Sequence, residues 1–135
     1  MKTHCTTADI GKRGERIAAR YLRRHGHRIL ARNLHCGKNE LDLIAKNREF
    51  LVFVEVKTRS FLTREEAADH PPALAVHAEK RRRTIEAARQ YLREHPTNRI
   101  PRLDVIEVYL DRSKHQKPFD IHHIEGAFDA HGRIL

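Results

Sequence analysis

The 135-residue chain holds two cysteines, Cys5 and Cys36. They form no CxxC pair and could make at most one bridge, in a chain long enough to bury a core without staples. A disulfide scaffold is therefore excluded, and a reducing cytoplasm is the expected compartment. No apolar run approaches the roughly 20 residues of a membrane span, and the start, MKTHCTTADIGKRGERIA, lacks the apolar stretch of a secretory signal. A soluble, unexported protein with no membrane partner is the expectation. Internal repeats and low-complexity tracts are missing as well. Acidic residues are scarce relative to basic ones: 18 Asp and Glu face 27 Lys and Arg, a net charge of +9.

That imbalance favours a polyanionic partner, because phosphate contacts release counterions and a basic surface steers encounter. The excess is uneven, with 15 basic and 8 acidic residues in 1–67 against 12 and 10 in 68–135. The amino-terminal half should carry more of the polyanion-facing surface. Apolar residues still make up 39% of the chain and gather in periodic clusters, so the polar composition does not imply disorder. One domain is expected over 1–135, with its core over about 8–128.

The periodicity predicts a helix from about 8 to 25, with Ile10, Ile17, Ala18, Tyr21 and Leu22 on one stripe and Gly26 as its stop. A short strand follows over 27–33, then a turn at Gly37 and Asn39. Residues 40–46 read as a second strand with Leu41, Leu43 and Ala45 on one face and Glu40, Asp42 and Ile44 on the other. Residues 50–58 are apolar almost without interruption, which places that strand mid-sheet with both faces covered. Residues 60–75, containing Pro71 and Pro72, read as a long loop. A second amphipathic helix spans about 76–94, turning Ile85, Ala88, Tyr91 and Leu92 inward. Two more strands, 102–110 and 119–124, are joined by the polar turn DRSKHQKP.

Two charges interrupt the mid-sheet strand. Glu55 and Lys57 are two residues apart, so both should emerge on one face about 7 Å apart, and a carboxylate there is costly to desolvate. If strands 40–46 and 50–58 pair antiparallel through their short connection, Asp42 comes alongside Glu55. Two carboxylates with a main-chain carbonyl, that of Val56, make an oxygen-rich site suited to Mg2+ or Mn2+. Such an ion would neutralise a scissile phosphate and lower the pKa of its water, with Lys57 positioning that water or stabilising the transition state. The same spacing equally fits a buried salt-bridge cluster in which Lys57 compensates the two acids, and spacing leaves both readings open.

The run NELDLIAKNREFLVFVEVKTR, with GKRGERIAARYL before it and KRRRTIEAARQYL and RLDVIEV after it, resembles the YraN family of small bacterial proteins over roughly Ile10 to Phe128. That family is in turn similar to archaeal Holliday-junction resolvases and to the PD-(D/E)xK nuclease superfamily. The resemblance implies a three-layer α/β fold of the restriction-endonuclease type, with a central mixed sheet flanked by helices. It also implies Mg2+-dependent endonuclease activity on branched DNA, with Asp42 and Glu55 as metal ligands, Lys57 as catalytic base or transition-state stabiliser, and Glu15 in support. Cutting both strands of a symmetric junction would need two sites, which a homodimer could supply. A module of the same fold that binds DNA or RNA without chemistry, recruiting a partner enzyme, is the alternative.

Candidate nucleic-acid contacts are Lys12, Arg13, Arg59 and the run Lys80, Arg81, Arg82, which serves equally as a solvated face. His122 and His123 are adjacent and so point to opposite faces of a strand, poor geometry for a shared zinc. Asp104 resembles a family position, and an ordinary salt bridge explains it equally well.

Overall fold

In the structure, a computed structural model describing residues 6–69 and 78–129, the chain folds as helix α1 (Thr7–Arg24) and strands β1 (Arg28–Cys36), β2 (Asn39–Lys46) and β3 (Phe50–Phe61). A short helix α2 (Arg64–Ala68), helix α3 (Ala78–Glu94) and strands β4 (Ile100–Asp111) and β5 (Lys117–Ile124) follow. The segment expected to be one long loop thus begins inside β3 and contains α2, where Thr63 caps the first turn through Glu66 N–H at 3.1 Å. Pro71 and Pro72 lie outside the described residues.

Helix α1 starts where Thr6 and Asp9 form a reciprocal capping box. It ends at Gly26, whose φ of +86° suits glycine, with the His27 N–H donating back to Leu22 O at 2.9 Å. The β1–β2 connection is a two-residue turn between Cys36 and Asn39. Gly37 takes φ +64° at its first central position, the placement a type II′ hairpin requires.

The five strands form one sheet in the order β1-β2-β3-β4-β5, antiparallel except for the β3–β4 pair. A parallel pair needs a crossover, and α3 supplies it. Helix α1 covers one face, packing Ala18, Ala19 and Leu22 against Leu43, Ala45, Val52, Val54, Ile106 and Val108. Helix α3 covers the other, setting Ala87 and Ala88 against Ile44, Leu51 and Phe53. The result is the three-layer α/β architecture of the restriction-endonuclease type, with β3 buried on both faces as its sequence requires.

Strict alternation fails in one informative place. Leu43 and Ala45 face α1, whereas Leu41 joins Ile44 on the α3 side. The two-residue rhythm is therefore broken around Asp42. Opposite it on β1, Asn33 adopts φ +49°, so both strands of the hairpin deviate at the same level.

Gly14 brings α1 unusually close to the sheet: a Cβ at that position would overlap the Thr58 side chain of β3. This close approach sets the neighbouring Glu15 over the same region of the sheet as Asp42.

Candidate metal and phosphodiester site

The β2–β3 ladder runs from Lys46↔Leu51 to Leu43↔Val54, and the next step of that register sets Asp42 opposite Glu55. Both carboxylates are buried, at 7% and 6% exposure, in the middle of a sheet. Asp42 Oδ2 accepts the main-chain N–H of Val56 at 2.9 Å, so Asp42 replaces a ladder partner with its side chain and stays fixed against β3. The two acids come together as their spacing implies.

The lysine that meets them is a different one. Lys80 Nζ lies 3.1 Å from Glu55 Oε2, and the Thr84 hydroxyl, one turn further along α3, lies 3.0 Å from Lys80 O and 3.4 Å from Glu55 Oε1, so its single proton serves one of the two at a time. An i, i+4 pair on one helix thus faces both oxygens of Glu55. Lys57 is exposed and makes no hydrogen bond or ion pair among the described residues. The salt-bridge partner anticipated in Lys57 is therefore Lys80, which leaves Lys57 uncommitted on the strand face it shares with Glu55.

Electrostatics show the strain of this arrangement. Burial, and then the Asp42 charge, pushes Glu55 up to about 8 despite Lys80. Burial likewise raises Asp42 against the opposing pull of the Val56 N–H and Lys80. Desolvation lowers Lys80, but the Glu55 carboxylate outweighs it and leaves the ammonium more basic than usual. Glu15, half-buried on α1, is raised by burial and then by Asp42, so its carboxylate is within electrostatic reach of Asp42. Ionised together, the two carboxylates carry more buried negative charge than Lys80 alone offsets. Among the described residues no group of three or more His, Cys, Asp or Glu is close enough to hold a metal ion. The acidic centre is a pair, so a cation there would draw its other ligands from main chain and water. Two buried carboxylates short of positive charge fit a hard divalent cation.

The other expected nucleic-acid contacts have varied fates. Arg59 lies 3.6 Å from the fully buried Glu107, tied across the β3–β4 pair. Arg13 donates from Nε to Gln116 O at 2.9 Å, and Arg82 pairs with Glu79 on the same helix. Arg81 is half-buried, and Lys12 is exposed beside Glu15.

A second buried polar group lies on the opposite face of the sheet. Asp104, fully buried, accepts two bonds from Arg102 at 2.9 Å each, one from Gly126 N–H at 3.0 Å, and faces His123 Nε2 at 2.7 Å. Despite its burial, these partners hold its carboxyl below the usual range. His122 points the other way, to Asp120 at 3.1 Å and the Tyr109 ring. Each histidine thus has its own partner, and Asp104 is part of a satisfied salt-bridge network.

Residues 14–108 match Uncharacterised protein family UPF0102. The chain belongs to this family, also called YraN. A UPF0102 protein of Syntrophotalea carbinolica is 41% identical over 124 residues, covering 91% of this chain and 94% of its own length. One from Chlorobium phaeobacteroides is 40% identical, covering 90% and 94%. A shorter match, to a UPF0102 protein of Koribacter versatilis, reaches 44% identity over 77% of this chain and 71% of that one. The UPF0102 match includes Glu15, Asp42, Glu55, Lys57 and Lys80.

Sequence reading did not assign Lys80 and Thr84 to the acids. The signal was a lysine four residues ahead of a threonine that itself sits beside Ile85 and one turn before Ala88. The adjacent arginines hid it inside a run of charge.

Proposed function

We propose that this protein is a metal-dependent endonuclease that hydrolyses phosphodiester bonds in branched DNA. The observation that carries the reading is the convergence of two buried carboxylates, Asp42 and Glu55, from adjacent strands, which when both ionised exceed the charge that Lys80 offsets. Asp42, Glu55 and the main-chain carbonyl of Val56 would hold Mg2+ or Mn2+. Such an ion would supply charge neutralisation at the phosphate and a more acidic bound water.

The chain's own residues do the rest. The Val56 N–H fixes Asp42, and the Lys80–Thr84 pair fixes Glu55, so both carboxylates are oriented before substrate arrives. Lys57, uncommitted on the same strand face, is free to donate to the developing negative charge as the water oxygen bonds to phosphorus and the ester P–O bond breaks. Glu15, which feels the Asp42 charge from α1, would support the site by biasing the protons of a water held there. The net charge of +9 supports a nucleic-acid substrate. The preference for branched DNA follows the family's similarity to the resolvases, and a homodimer would place two such sites on one junction.

Lys80 also supports a second reading. Its ammonium already neutralises one carboxylate, as a structural salt bridge would, which suits a DNA- or RNA-binding module without chemistry. A panel of labelled four-way junction, flap, duplex, single-stranded DNA and RNA substrates, with Mg2+ or Mn2+, separates the two. Cleavage by wild type that is lost in Asp42→Asn and Lys57→Ala, with binding retained, supports the nuclease. Salt-sensitive binding with no cleavage in either metal supports the module.

A further inference from the structure

We infer that a second phosphate-backbone contact lies away from the acidic pair, at the β2–β3 turn, where Arg28, Lys46, Arg48 and Arg99 receive the sugar–phosphate backbone of duplex DNA. The inference rests on the nucleic-acid reading above and extends it to surface that the motif residues do not include.

These four side chains, with His27 and Asn47, line a cleft of about 360 Å3. A neighbouring cleft of about 600 Å3 continues the same character along the edge strand β1, adding Arg23 and Arg32. Three features distinguish this surface from an ordinary charged exterior. Arg28 and Lys46 are direct cross-strand partners, and like charges set opposite each other on a sheet repel. No carboxylate relieves them: among the described residues none of the six cations is in an ion pair, and Glu49 in the same turn pairs with none of them. Several cations elsewhere do find acids, as in Arg59 with Glu107, Lys80 with Glu55, Arg82 and Arg83 with Glu79, and Arg102 with Asp104, while isolated exposed ones such as Lys57 do not.

The third feature is preparation. Arg99 Nε donates to Asn47 O at 2.7 Å, and Asn47 Oδ1 accepts from the N–H groups of Glu49 and Phe50 at 2.9 and 2.7 Å. The turn is therefore fixed, and Arg99 is anchored through one nitrogen while its other guanidinium N–H groups remain for an anion. A partner with regularly spaced negative charge offsets a repulsion that the free protein must bear. The five steps of extended β3 from Phe50 at the turn to Glu55 span roughly 17 Å. At one base pair per 3.4 Å, that is about five base pairs, so the surface meets phosphates well removed from the acidic pair.

The test measures binding of a labelled duplex to the full chain in chelator, across a salt series. Each lost phosphate contact should lower the slope of log K against log salt by about 0.9. Arg28→Gln with Arg48→Gln should therefore reduce it by nearly two and weaken binding by roughly tenfold or more at moderate salt. Arg93→Gln with Lys114→Gln removes the same formal charge elsewhere and should change both far less. Because Arg99 braces the turn, it is left intact in the first variant. Arg28→Gln alone should raise the thermal midpoint of the free protein at low salt, by relieving Lys46. Equal losses in the two double variants, or none in the first, would overturn the inference and leave the nuclease reading standing. Binding to anionic lipid vesicles with none to duplex would overturn both.

Discussion

Glu55→Gln offers the most direct measure of what the acidic pair does to the fold. The carboxyl is raised from 4.5 to about 8 by burial and by Asp42. A carboxylate whose folded pKa lies above its unfolded value favours the folded state while protonated. That contribution is complete below about pH 4.5 and disappears as pH climbs towards 8. At about 1.4 kcal/mol per pH unit, the rise from 4.5 to about 8 sets a ceiling of roughly 5 kcal/mol, most of it reached by pH 8. Lys80 and Asp42 share the coupling, so a difference of about 1–3 kcal/mol is expected between variant and wild type. An amide keeps the side-chain length, can still accept from Thr84, and carries no charge. Urea denaturation in chelator should find Glu55→Gln more stable than wild type at pH 8 and indistinguishable near pH 5. Adding Mg2+ at pH 8 should then stabilise wild type by about 2.7 kcal/mol at a hundredfold excess over Kd, and leave the variant unmoved. A variant destabilised by the same amount at both pH values would refute the reasoning, because it would show the carboxylate to be well compensated and not strained.

Three other outcomes follow from the same geometry. Lys80→Met removes the ammonium that faces buried Glu55 and should cost about 3–5 kcal/mol at pH 8, far less near pH 5, as read by the same denaturation series. Gly14→Ala should destabilise by about 1–3 kcal/mol through its overlap with Thr58. Thr58→Ala should recover much of that loss in a double-mutant cycle, and independent, additive effects would count against the close approach. Asp104→Asn leaves Arg102 and His123 without their buried anion and should cost about 3–5 kcal/mol at neutral pH. Since Asp104 is held below its ordinary value, its stabilisation is present above the unfolded pKa and is lost as pH falls through the folded one. The gap between wild type and variant should therefore narrow in acid.

Much of the architecture could be read from local pattern. The apolar run 50–58 is long enough and continuous enough to demand cover on both faces, and α1 and α3 provide it. Gly26 and Gly37 fall where backbone with positive φ is needed, so the first helix stop and the first hairpin turn were visible. What local pattern missed depends on three-dimensional neighbours. Alternation placed Asp42 and Glu55 together, yet it could not show that Leu41 would turn to the α3 side, because that break involves Asn33 on another strand. It chose Lys57 for the acids because Lys57 is near in sequence; Lys80 lies on α3 and arrives only through the crossover. The short helix α2 was hidden in a stretch too brief for periodicity to register. The unrelieved cations of the β2–β3 turn were equally invisible, since Arg28, Lys46 and Arg99 meet only when β1, β2 and the start of β4 converge.

The parallel β3–β4 pair has a consequence for the order in which the molecule assembles. Asp42 and Glu55 sit on a hairpin closed by a short turn, a contact that forms within microseconds. Lys80 can reach them only after α3 has crossed the sheet and β4 has docked, a contact of much longer loop closure. Above the ordinary carboxylate range the nascent hairpin, not yet buried, must therefore bring two ionised carboxylates together before their counter-charge is in place. Mild acid, which removes that early repulsion, should speed refolding in a stopped-flow chevron. Lys80→Met should act mainly on the unfolding limb, as expected for a contact made late.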